Sequence, residues 1–433
     1  MKKIRIGVLG AYRGTSMINY CKRADNAEVV AICDKHPGTL AEHKKLAEGL
    51  NITFYDNFDD FIQHDMDAVV LANYANEHAP FAIRAMHRGL HVFSEVLPVQ
   101  TPREAVELME AVEETGMIYA YGENYCYMPA PYEMKKRYEA GTIGEFEYGE
   151  CEYVHNCESI WPSITYGEEN HWRNLMYSTF YCTHSLGPII HMTGLRPVSV
   201  VGFEGINNQR NLRVGSKSGQ FGIEMVTLEN GGIIKSIHGG LYCNSIWYSA
   251  YGAKGRMECG REDHDTGHID KLFVRSDEVS GNYKETVEAY EPHRELDEKA
   301  RGFGHGNSDF YTMWHFVEKI KGNPEADIID VYEAMDMFLP GMFAYRSILK
   351  GGIPMEIPNL RDKAVREIWR NDVACTDPKT AGDQLLPTFS KSTPDIAPEV
   401  YEKVRLQWED DCANKGDYRT AALSQGSKPK DEE

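Results

Sequence analysis

The chain has 433 residues, of which 42% are hydrophobic and 26% are charged, the composition of an ordinary globular protein long enough for two domains. Its formal net charge of −20 argues against nonspecific binding to nucleic acid or to an anionic membrane. No apolar run is long enough to span a membrane, and Met1 leads almost directly into an apolar strand without a signal peptide, so we expect a cytoplasmic protein.

The first predicted elements are a strand, a glycine turn, a helix and a second strand. The apolar run Ile4–Leu9 leads into glycines at positions 7, 10 and 14, a helix is predicted over Ser16–Arg23, and a strand over Glu28–Cys33 is followed by Asp34. In a dinucleotide-binding βαβ unit, the glycines let the backbone approach a pyrophosphate, and an acid about 20 residues further on binds the ribose hydroxyls. The spacing favours such a site over the alternative, a parallel unit that binds no nucleotide.

This unit supplies the first predicted cofactor contacts, which are Gly10, Tyr12, Arg13, Gly14 and Asp34. A carboxylate at position 34 would repel the 2′-phosphate of NADP, so the sequence favours NAD. Lys35 and His36 weaken this preference, because positive charge beside the carboxylate offsets part of the repulsion.

The alternation of helix and strand continues to residue 121. Apolar runs and helix signals predict helices at 39–50, 59–63, 78–88 and 101–114 and strands at 53–55, 67–73, 91–95 and 117–121. Thr101 as cap, Pro102 at the first position and Gly116 after the last turn are typical start and stop signals of a helix. Six strands alternating with helices predict a doubly wound parallel sheet of the Rossmann type, which we assign to residues 1–122.

From Glu123 onwards the predicted strands are longer. They lie at 145–154, 198–203, 221–228, 232–238 and around 249–259 and 271–274, and a turn at Asn230-Gly231 favours a hairpin. Helices are predicted at 132–140, 310–321, 331–349 and 398–411, and the third is expected to pack onto the sheet or the first domain. We predict that residues 123–360 form an α+β domain, a large mostly antiparallel sheet flanked by helices, which binds substrate and forms a homo-oligomer. Residues 361–433 are assigned to a C-terminal extension, disordered at 424–433.

Ligands bind at the carboxyl ends of the strands of a doubly wound sheet. The candidates are Asn73 and His78 after strand four, Glu95 at the end of strand five and Asn124 after strand six, all expected near the nicotinamide edge of the cofactor. Two of them have structural alternatives, since Glu95 can serve as a cap or turn residue and His78 can cap the helix that it begins.

In the second domain, Trp172-Arg173 precedes a helical stretch with Tyr181 and His184. Their i, i+3 spacing places a phenol and an imidazole on one face of a helix. The pair suits a sugar, because the phenol can hydrogen-bond and the imidazole can accept a proton during hydride transfer. The alternative is a histidine with a purely structural role.

Together these motifs resemble the glucose–fructose oxidoreductase, inositol dehydrogenase and MocA (Gfo/Idh/MocA) family of NAD(P)-dependent sugar oxidoreductases. The resemblance spans residues 1 to about 360. It rests on the glycine loop, Glu95-Val96, 123–128, Trp172-Arg173, 181–188, 252–255, 304–310 and 330–332. Within this family the chain is similar in particular to the branch of NAD-dependent α-N-acetylgalactosaminidases, because Val96 stands where dehydrogenases of the family carry a catalytic lysine.

The resemblance implies roles for individual residues. It implies that Trp172 and Arg173 join the cofactor contacts. The implied sugar contacts are Glu95, Tyr127, Tyr181 and His184. His184 is then expected to take the proton of the C3 hydroxyl, Tyr127 or Tyr181 to act at C2 or on the leaving group, and Glu95 to bind or orient the sugar.

The implied reaction is redox-neutral cleavage of a glycoside. Hydride passes from C3 of the sugar to NAD⁺, the resulting ketone acidifies the C2 proton, the C1 substituent leaves, water adds, and the hydride returns. The alternatives are a 3-dehydrogenase that releases an oxidised sugar and a non-catalytic NAD-binding sensor, which the missing lysine favours. Cys182 replaces a proline of the branch, and the stretch around 244–247 lacks a tyrosine with which the branch contacts the sugar. The sequence therefore leaves the sugar, anomer and leaving group open.

The cysteines and histidines indicate neither disulfides nor a metal. The ten cysteines are scattered without a CxxC pair, so we expect reduced thiols. His155, His171 and His184 lie close in sequence and leave a metal-assisted variant open, but their spacing matches no standard ligand pattern. We predict NAD as the cofactor, no metal, and a small-molecule sugar or glycoside as the ligand.

Overall fold

The structure is a computed structural model in which residues 2–261, 269–277 and 285–415 are described. The described part contains one parallel sheet and one mostly antiparallel sheet, with helices against both. The tail predicted to be disordered, 424–433, lies outside the described residues.

The first sheet has six strands in the order β3-β2-β1-β4-β5-β6. All neighbours are parallel, because each connection carries a helix back across the sheet. The strands are β1 (Ile4–Leu9), β2 (Ala27–Cys33), β3 (Thr53–Tyr55), β4 (Ala68–Leu71), β5 (His91–Ser94) and β6 (Tyr119–Tyr121). The chain reverses its direction of winding between β1 and β4, where a crevice opens at the carboxyl edge. The predicted doubly wound sheet is confirmed.

Five helices connect these strands. They are α1 (Thr15–Arg23), α2 (Pro37–Leu46), α3 (Phe58–Phe61), α4 (His78–His87) and α5 (Pro102–Thr115). The predicted boundaries of α5 are present, because the Thr101 hydroxyl accepts a hydrogen bond from the Glu104 amide at 3.1 Å and Gly116 ends the helix at φ 65°.

The second sheet has nine strands within the described residues, in the order β14-β13-β12-β11-β7-β10-β9-β8-β15. They are β7 (Phe146–Val154), β8 (Pro197–Glu204), β9 (Phe221–Leu228), β10 (Ile233–Gly239), β11 (Ser245–Gly252), β12 (Gly255–Cys259), β13 (Leu272–Asp277), β14 (Glu285–Tyr290) and β15 (Met355–Glu356). Only β7 and β10 pair in parallel among these. The predicted mostly antiparallel sheet and the hairpin between β9 and β10 are confirmed. The stretch predicted around 249–259 is itself a hairpin of two strands.

Eleven further helices follow in the described part of the chain. They are α6 (Pro129–Glu139), α7 (Trp161–Thr165), α8 (Trp172–Leu175), α9 (Thr183–Thr193), α10 (Gln209–Leu212), α11 (Asp297–Ala300), α12 (Ser308–Ile320), α13 (Val331–Leu349), α14 (Lys363–Trp369), α15 (Pro378–Ala381) and α16 (Pro398–Lys415). Of these, α6, α9 and α13 contact the second sheet. The long helix α13 and the residues before it join the two sheets. The Gly202 amide in β8 donates to the Ser347 hydroxyl of α13 at 3.2 Å, and the Tyr121 amide in β6 donates at 2.8 Å to the carbonyl of Ile329, which precedes the helix. The short helices α7, α8, α10, α11, α14 and α15 were not predicted, because helices of four to seven residues are too short to show a clear apolar period.

No helix among the described residues is long and apolar enough to cross a membrane.

A buried ionic cluster ties α6, α9 and α13 together. The His191 ring lies with Nδ1 2.6 Å from Glu333 Oε1 and Nε2 3.3 Å from Asp327 Oδ2, and the Lys135 ammonium lies 2.7 Å from Asp327. Burial opposes protonation of His191, but the two carboxylates overcome this effect and raise its pKa to about 9. His191 is therefore a cation in the folded protein at neutral pH.

This cluster makes stability depend on pH. A histidine whose pKa is raised by folding adds stability that is complete below its unfolded pKa of about 6.5 and is lost as the pH rises towards about 9. We expect the free energy of unfolding, measured with denaturant, to fall by about 3 kcal/mol over this window. A His191→Gln variant should show a flatter profile and the exposed control His87→Gln the wild-type profile. Equal slopes in wild type and His191→Gln would contradict the assignment.

Candidate active site

A cavity of about 1050 Å³ lies between the carboxyl edge of the parallel sheet and the near end of the second sheet. Most of the predicted site residues line it: Gly10, Tyr12, Arg13, Asp34, Asn73, Glu95, Asn124, Trp172, Arg173, Tyr181 and His184. The cavity thus begins at the crevice beside β1 and β4 and extends to the second sheet.

The glycine loop shapes the floor of the cavity. Gly10 has φ 85°, and a Cβ there would collide with the backbone of Ala72 at the end of β4, so only glycine lets the loop pack directly on this strand end. A Cβ at Gly14 would lie 2.5 Å from Val8 Cγ1, which shows that Gly14 serves the close packing of α1 on β1. Gly14 does not line the cavity. Of the two glycines, only Gly10 therefore lies where a ligand can meet its backbone.

Asp34 is held rigidly at the end of β2. Its Oδ2 accepts a hydrogen bond from the Ala11 amide and its Oδ1 one from the His36 amide, both at 2.8 Å. Each carboxylate oxygen keeps a lone pair for the hydroxyls of a ribose. Lys35 points instead at Tyr74, with Nζ 3.6 Å from the ring centroid.

A buried network of charges lies at the centre of the cavity wall. The Arg13 guanidinium spans two carboxylates, with Nη2 2.7 Å from Glu95 Oε1 and Nη1 3.0 Å from Asp309 Oδ2. Asp309 also accepts from the Asn124 amide group at 2.9 Å and lies 3.1 Å from His305 Nδ1. Burial raises the pKa of Glu95 even though Arg13 opposes it, whereas Arg13 and His305 hold the pKa of Asp309 well below its usual range against the effect of burial.

His184 and Glu123 form a dyad at the opposite wall. The buried Glu123 carboxylate follows β6, and its Oε1 lies 2.6 Å from His184 Nδ1 in the first turn of α9. A carboxylate can only accept, so Nδ1 carries the hydrogen, and in the neutral ring Nε2 is left as the proton acceptor for the cavity. The arrangement is that of a general base oriented by an acid.

Aromatic rings surround the dyad. The ring centroids of Tyr125, Tyr153 and Tyr181 lie 4.5, 4.6 and 5.1 Å from that of His184. The helix α9 begins only at Thr183, so Tyr181 precedes it and the predicted i, i+3 helical pair is wrong. The two side chains nevertheless meet, because the turn into the helix brings Tyr181 back towards the cavity.

Besides Gly14, two predicted site residues lie outside the cavity. Tyr127 is buried, its hydroxyl donates to the Asp327 carbonyl at 2.8 Å, and its ring packs against His191 and His315, which contradicts its predicted contact with a sugar. His78 is buried below the loop after β5, where its Nδ1 lies 2.8 Å from the Leu97 carbonyl and burial lowers its pKa to about 4. It holds that loop in place and does not line the cavity.

Sequence reasoning did not single out Glu123 or Asp309 as site residues. Glu123 directly follows β6, so the rule that ligands bind after strand ends already includes it. Asp309 lies 296 residues from its partner Arg13, and no local pattern predicts that pair.

The residues present fit a dinucleotide. Gly10 presents only backbone to the cavity, and the Asp34 carboxylate stands at the end of β2. Asn73 Oδ1 and Asn124 Oδ1 are buried and have no hydrogen-bond partner in the described part of the chain, so both oxygen atoms can accept hydrogen bonds from a bound ligand. Among the described residues, no group of three or more histidine, cysteine, aspartate or glutamate side chains is arranged to hold a metal ion.

This fold and this cavity define a two-domain protein that binds a dinucleotide at a Rossmann sheet. Residues 4–123 match the model of the Gfo/Idh/MocA oxidoreductase family, NAD-binding Rossmann fold, and residues 250–366 match that of the glycosyl hydrolase 109 C-terminal domain. The N-terminal domain thus matches the NAD-binding domain of the Gfo/Idh/MocA oxidoreductases, and a later segment matches the C-terminal domain of glycosyl hydrolase 109. NAD is the cofactor of such a Rossmann domain.

Known proteins resemble the chain in part or in fold. Glycosyl hydrolase family 109 protein 2 of Shewanella sp. (strain ANA-3) is 29% identical over 202 residues, and the match spans 44% of this chain and less than half, 44%, of that relative. Levoglucosan dehydrogenase in complex with NADH and levoglucosan has a TM-score of 0.67 at 17% identity, covering 82% of this chain and all of that chain. Myo-inositol 2-dehydrogenase from Lactobacillus plantarum has a TM-score of 0.63 at 20% identity with the same coverage. The solved structures show the shared fold.

Proposed function

We propose that the chain is an NAD-dependent enzyme that acts on a glycoside by redox-neutral cleavage. The observation that carries the proposal is the His184–Glu123 dyad, whose histidine lines the same cavity as Gly10 and Asp34 while the glutamate is buried behind it. The glycosyl hydrolase 109 domain over residues 250–366 supports a glycoside as the substrate class. Val96, at the position of the family's catalytic lysine, leaves His184 as the base for the hydroxyl proton.

The residues of the cavity have separate roles in this reaction. Bound NAD⁺ supplies a reversible hydride acceptor for C3 of the sugar. His184 takes the proton of the C3 hydroxyl at Nε2, and Glu123 holds the ring in the tautomer that can do so. Tyr181 binds the sugar near C2 or the leaving group, and Glu95, fixed by Arg13, orients it. A ketone at C3 acidifies the proton at C2, so the C1 substituent can leave without an oxocarbenium ion.

The contacts with the sugar change in one respect from the sequence prediction. Tyr127 lies away from the cavity, whereas the ring of Tyr125 in the same 3₁₀ turn, Asn124–Tyr127, packs 4.5 Å from that of His184. We therefore propose that the ring of Tyr125 positions the imidazole of His184. Trp172 and Tyr181 stack at 6.4 Å between ring centroids and form the neighbouring wall.

The test is to mix the purified chain with a panel of aryl glycosides and NAD⁺, recording absorbance at 340 nm and aglycone release together. Redox-neutral cleavage predicts aglycone release without net NADH. Accumulation of NADH or of a keto sugar with the aglycone still attached would establish the alternative, a 3-dehydrogenase. Binding of NAD without turnover of any glycoside would support a non-catalytic sensor and contradict the proposal.

A further inference from the structure

One end of the cavity is not used by the proposed chemistry. It lies past Asp34, where Lys35, His36 and Trp408 line the wall. In a Rossmann sheet the acid at the end of β2 binds the ribose hydroxyls, so this end holds the adenosine half of NAD. The residues that enclose it come from three separate parts of the chain.

Five aromatic side chains form a continuous series of ring contacts around this end. We name the series His36, Trp408, Tyr166, His171 and Tyr74 the aromatic collar, and all five line the cavity. Trp408 lies 5.5 Å from His36 and 5.1 Å from Tyr166 between ring centroids. His171 lies 6.0 Å from Tyr166 and 4.5 Å from Tyr74.

The collar spans the crevice of the parallel sheet. Its first member, His36, follows β2, and its last, Tyr74, follows β4, so both ends stand on the Rossmann domain. Tyr166 and His171 come from the loop between α7 and α8, and Trp408 comes from α16. The middle of the collar therefore closes over the crevice from outside the sheet.

The helix α16 is fixed in the position that places Trp408. Gly167 has φ 69°, and a Cβ there would lie 2.5 Å from the Tyr401 carbonyl oxygen and 2.6 Å from the Arg405 nitrogen, so the helix packs directly on this glycine. The Tyr401 hydroxyl donates to the Gly215 carbonyl at 3.2 Å, and Val404 is buried. Residues 398–415 lie outside both matched family models, which end at 123 and 366.

We propose that α16 is part of the cofactor site, and that Trp408 and Tyr166 close the collar over the adenosine half of NAD and slow its release. Adenine presents a flat π-face, and aromatic side chains contact such a face favourably. The inference rests on the proposed function only in taking NAD as the cofactor. Slow release of NAD also agrees with the proposed reaction. In redox-neutral cleavage each turnover returns the cofactor to NAD⁺, so the cofactor does not need to leave, whereas a dehydrogenase has to exchange NADH for NAD⁺ after each turnover.

The test measures release of NAD from the full-length chain. Labelled NAD⁺ is bound to wild type, Trp408→Ala, Trp408→Phe and Leu406→Ala, and its dissociation is followed after addition of excess unlabelled NAD⁺. Trp408→Ala is expected to release it about 10- to 100-fold faster, and Trp408→Phe to keep most of the wild-type retention. Leu406 is 52% exposed on the same helix, so Leu406→Ala is the matched control and should behave as wild type.

A second measurement separates the collar from a general loosening of the protein. Affinity for ADP-ribose, measured by calorimetry, should fall in Trp408→Ala, while affinity for nicotinamide mononucleotide should stay at the wild-type value. Unchanged release in Trp408→Ala, or an equal loss of affinity for both halves, would overturn the inference. A chain that retains NAD through Trp408 but cleaves no glycoside would defeat the proposed function and leave the collar standing.

Discussion

Replacing His184 by alanine should lower kcat for glycoside turnover by about 100- to 10 000-fold while leaving NAD affinity within a few-fold of wild type. In the proposed reaction the imidazole accepts the hydroxyl proton, and its Nδ1 is held 2.6 Å from the Glu123 carboxylate. Without it, the hydroxyl that loses hydride has no neighbouring base. The decrease in kcat is expected in the chemical step and not in NAD binding, since His184 is not among the predicted cofactor contacts.

The measurement is steady-state kinetics over a range of pH, with NAD affinity determined separately by calorimetry. Glu123→Gln should also lower kcat strongly, because an amide can present its NH₂ to Nδ1 and so favour the wrong tautomer. His87→Ala removes an exposed histidine of α4 and serves as the matched control. Wild-type turnover in His184→Ala would remove the dyad from the mechanism.

The fold was largely predictable because its signals are local. Each strand of the first sheet is a short apolar run, and the boundaries of α5 follow from Thr101, Pro102 and Gly116. The same reasoning failed where a pattern was short or polar, as for α14, which buries little apolar surface but is tied down by Arg366, whose guanidinium lies 2.9 Å from Glu113 Oε2. That helix depends on a pair formed across 253 residues of sequence.

The candidate site was predictable only as far as the strand ends. The rule for doubly wound sheets places Asn73, Glu95 and Asn124 correctly at the cavity. It cannot tell which way a side chain points in the irregular turn that follows, so Tyr127 was wrongly expected at the sugar. Partners from distant segments, such as Glu123 and His184, 61 residues apart, are defined only when both sheets are assembled.

Replacing Arg13 by methionine should lower the free energy of unfolding by about 3–5 kcal/mol, because it leaves two buried carboxylates without their shared cation. Arg13 contacts both Glu95 and Asp309, whose side chains are only 7% and 1% exposed. Methionine keeps much of the apolar stem of arginine, so the fall in the free energy of unfolding measures mainly the effect of removing the charge. The matched control is Arg84→Met, which breaks an exposed pair with Asp59 and should cost less than about 1 kcal/mol.

The dependence on pH separates a lost charge from lost packing in Arg13→Met. In the wild type, the lowered pKa of Asp309 adds stability above about pH 4, and this is lost as the pH falls through its lower folded value. In the variant, burial without a cation raises the pKa of the carboxylates, so the deficit relative to wild type should shrink as the pH falls from 7.5 to 5. Asp309→Asn added to Arg13→Met should recover part of the loss at pH 7.5. A deficit that is constant over this range, and no recovery in the double variant, would mean that Arg13 stabilises the protein through packing alone.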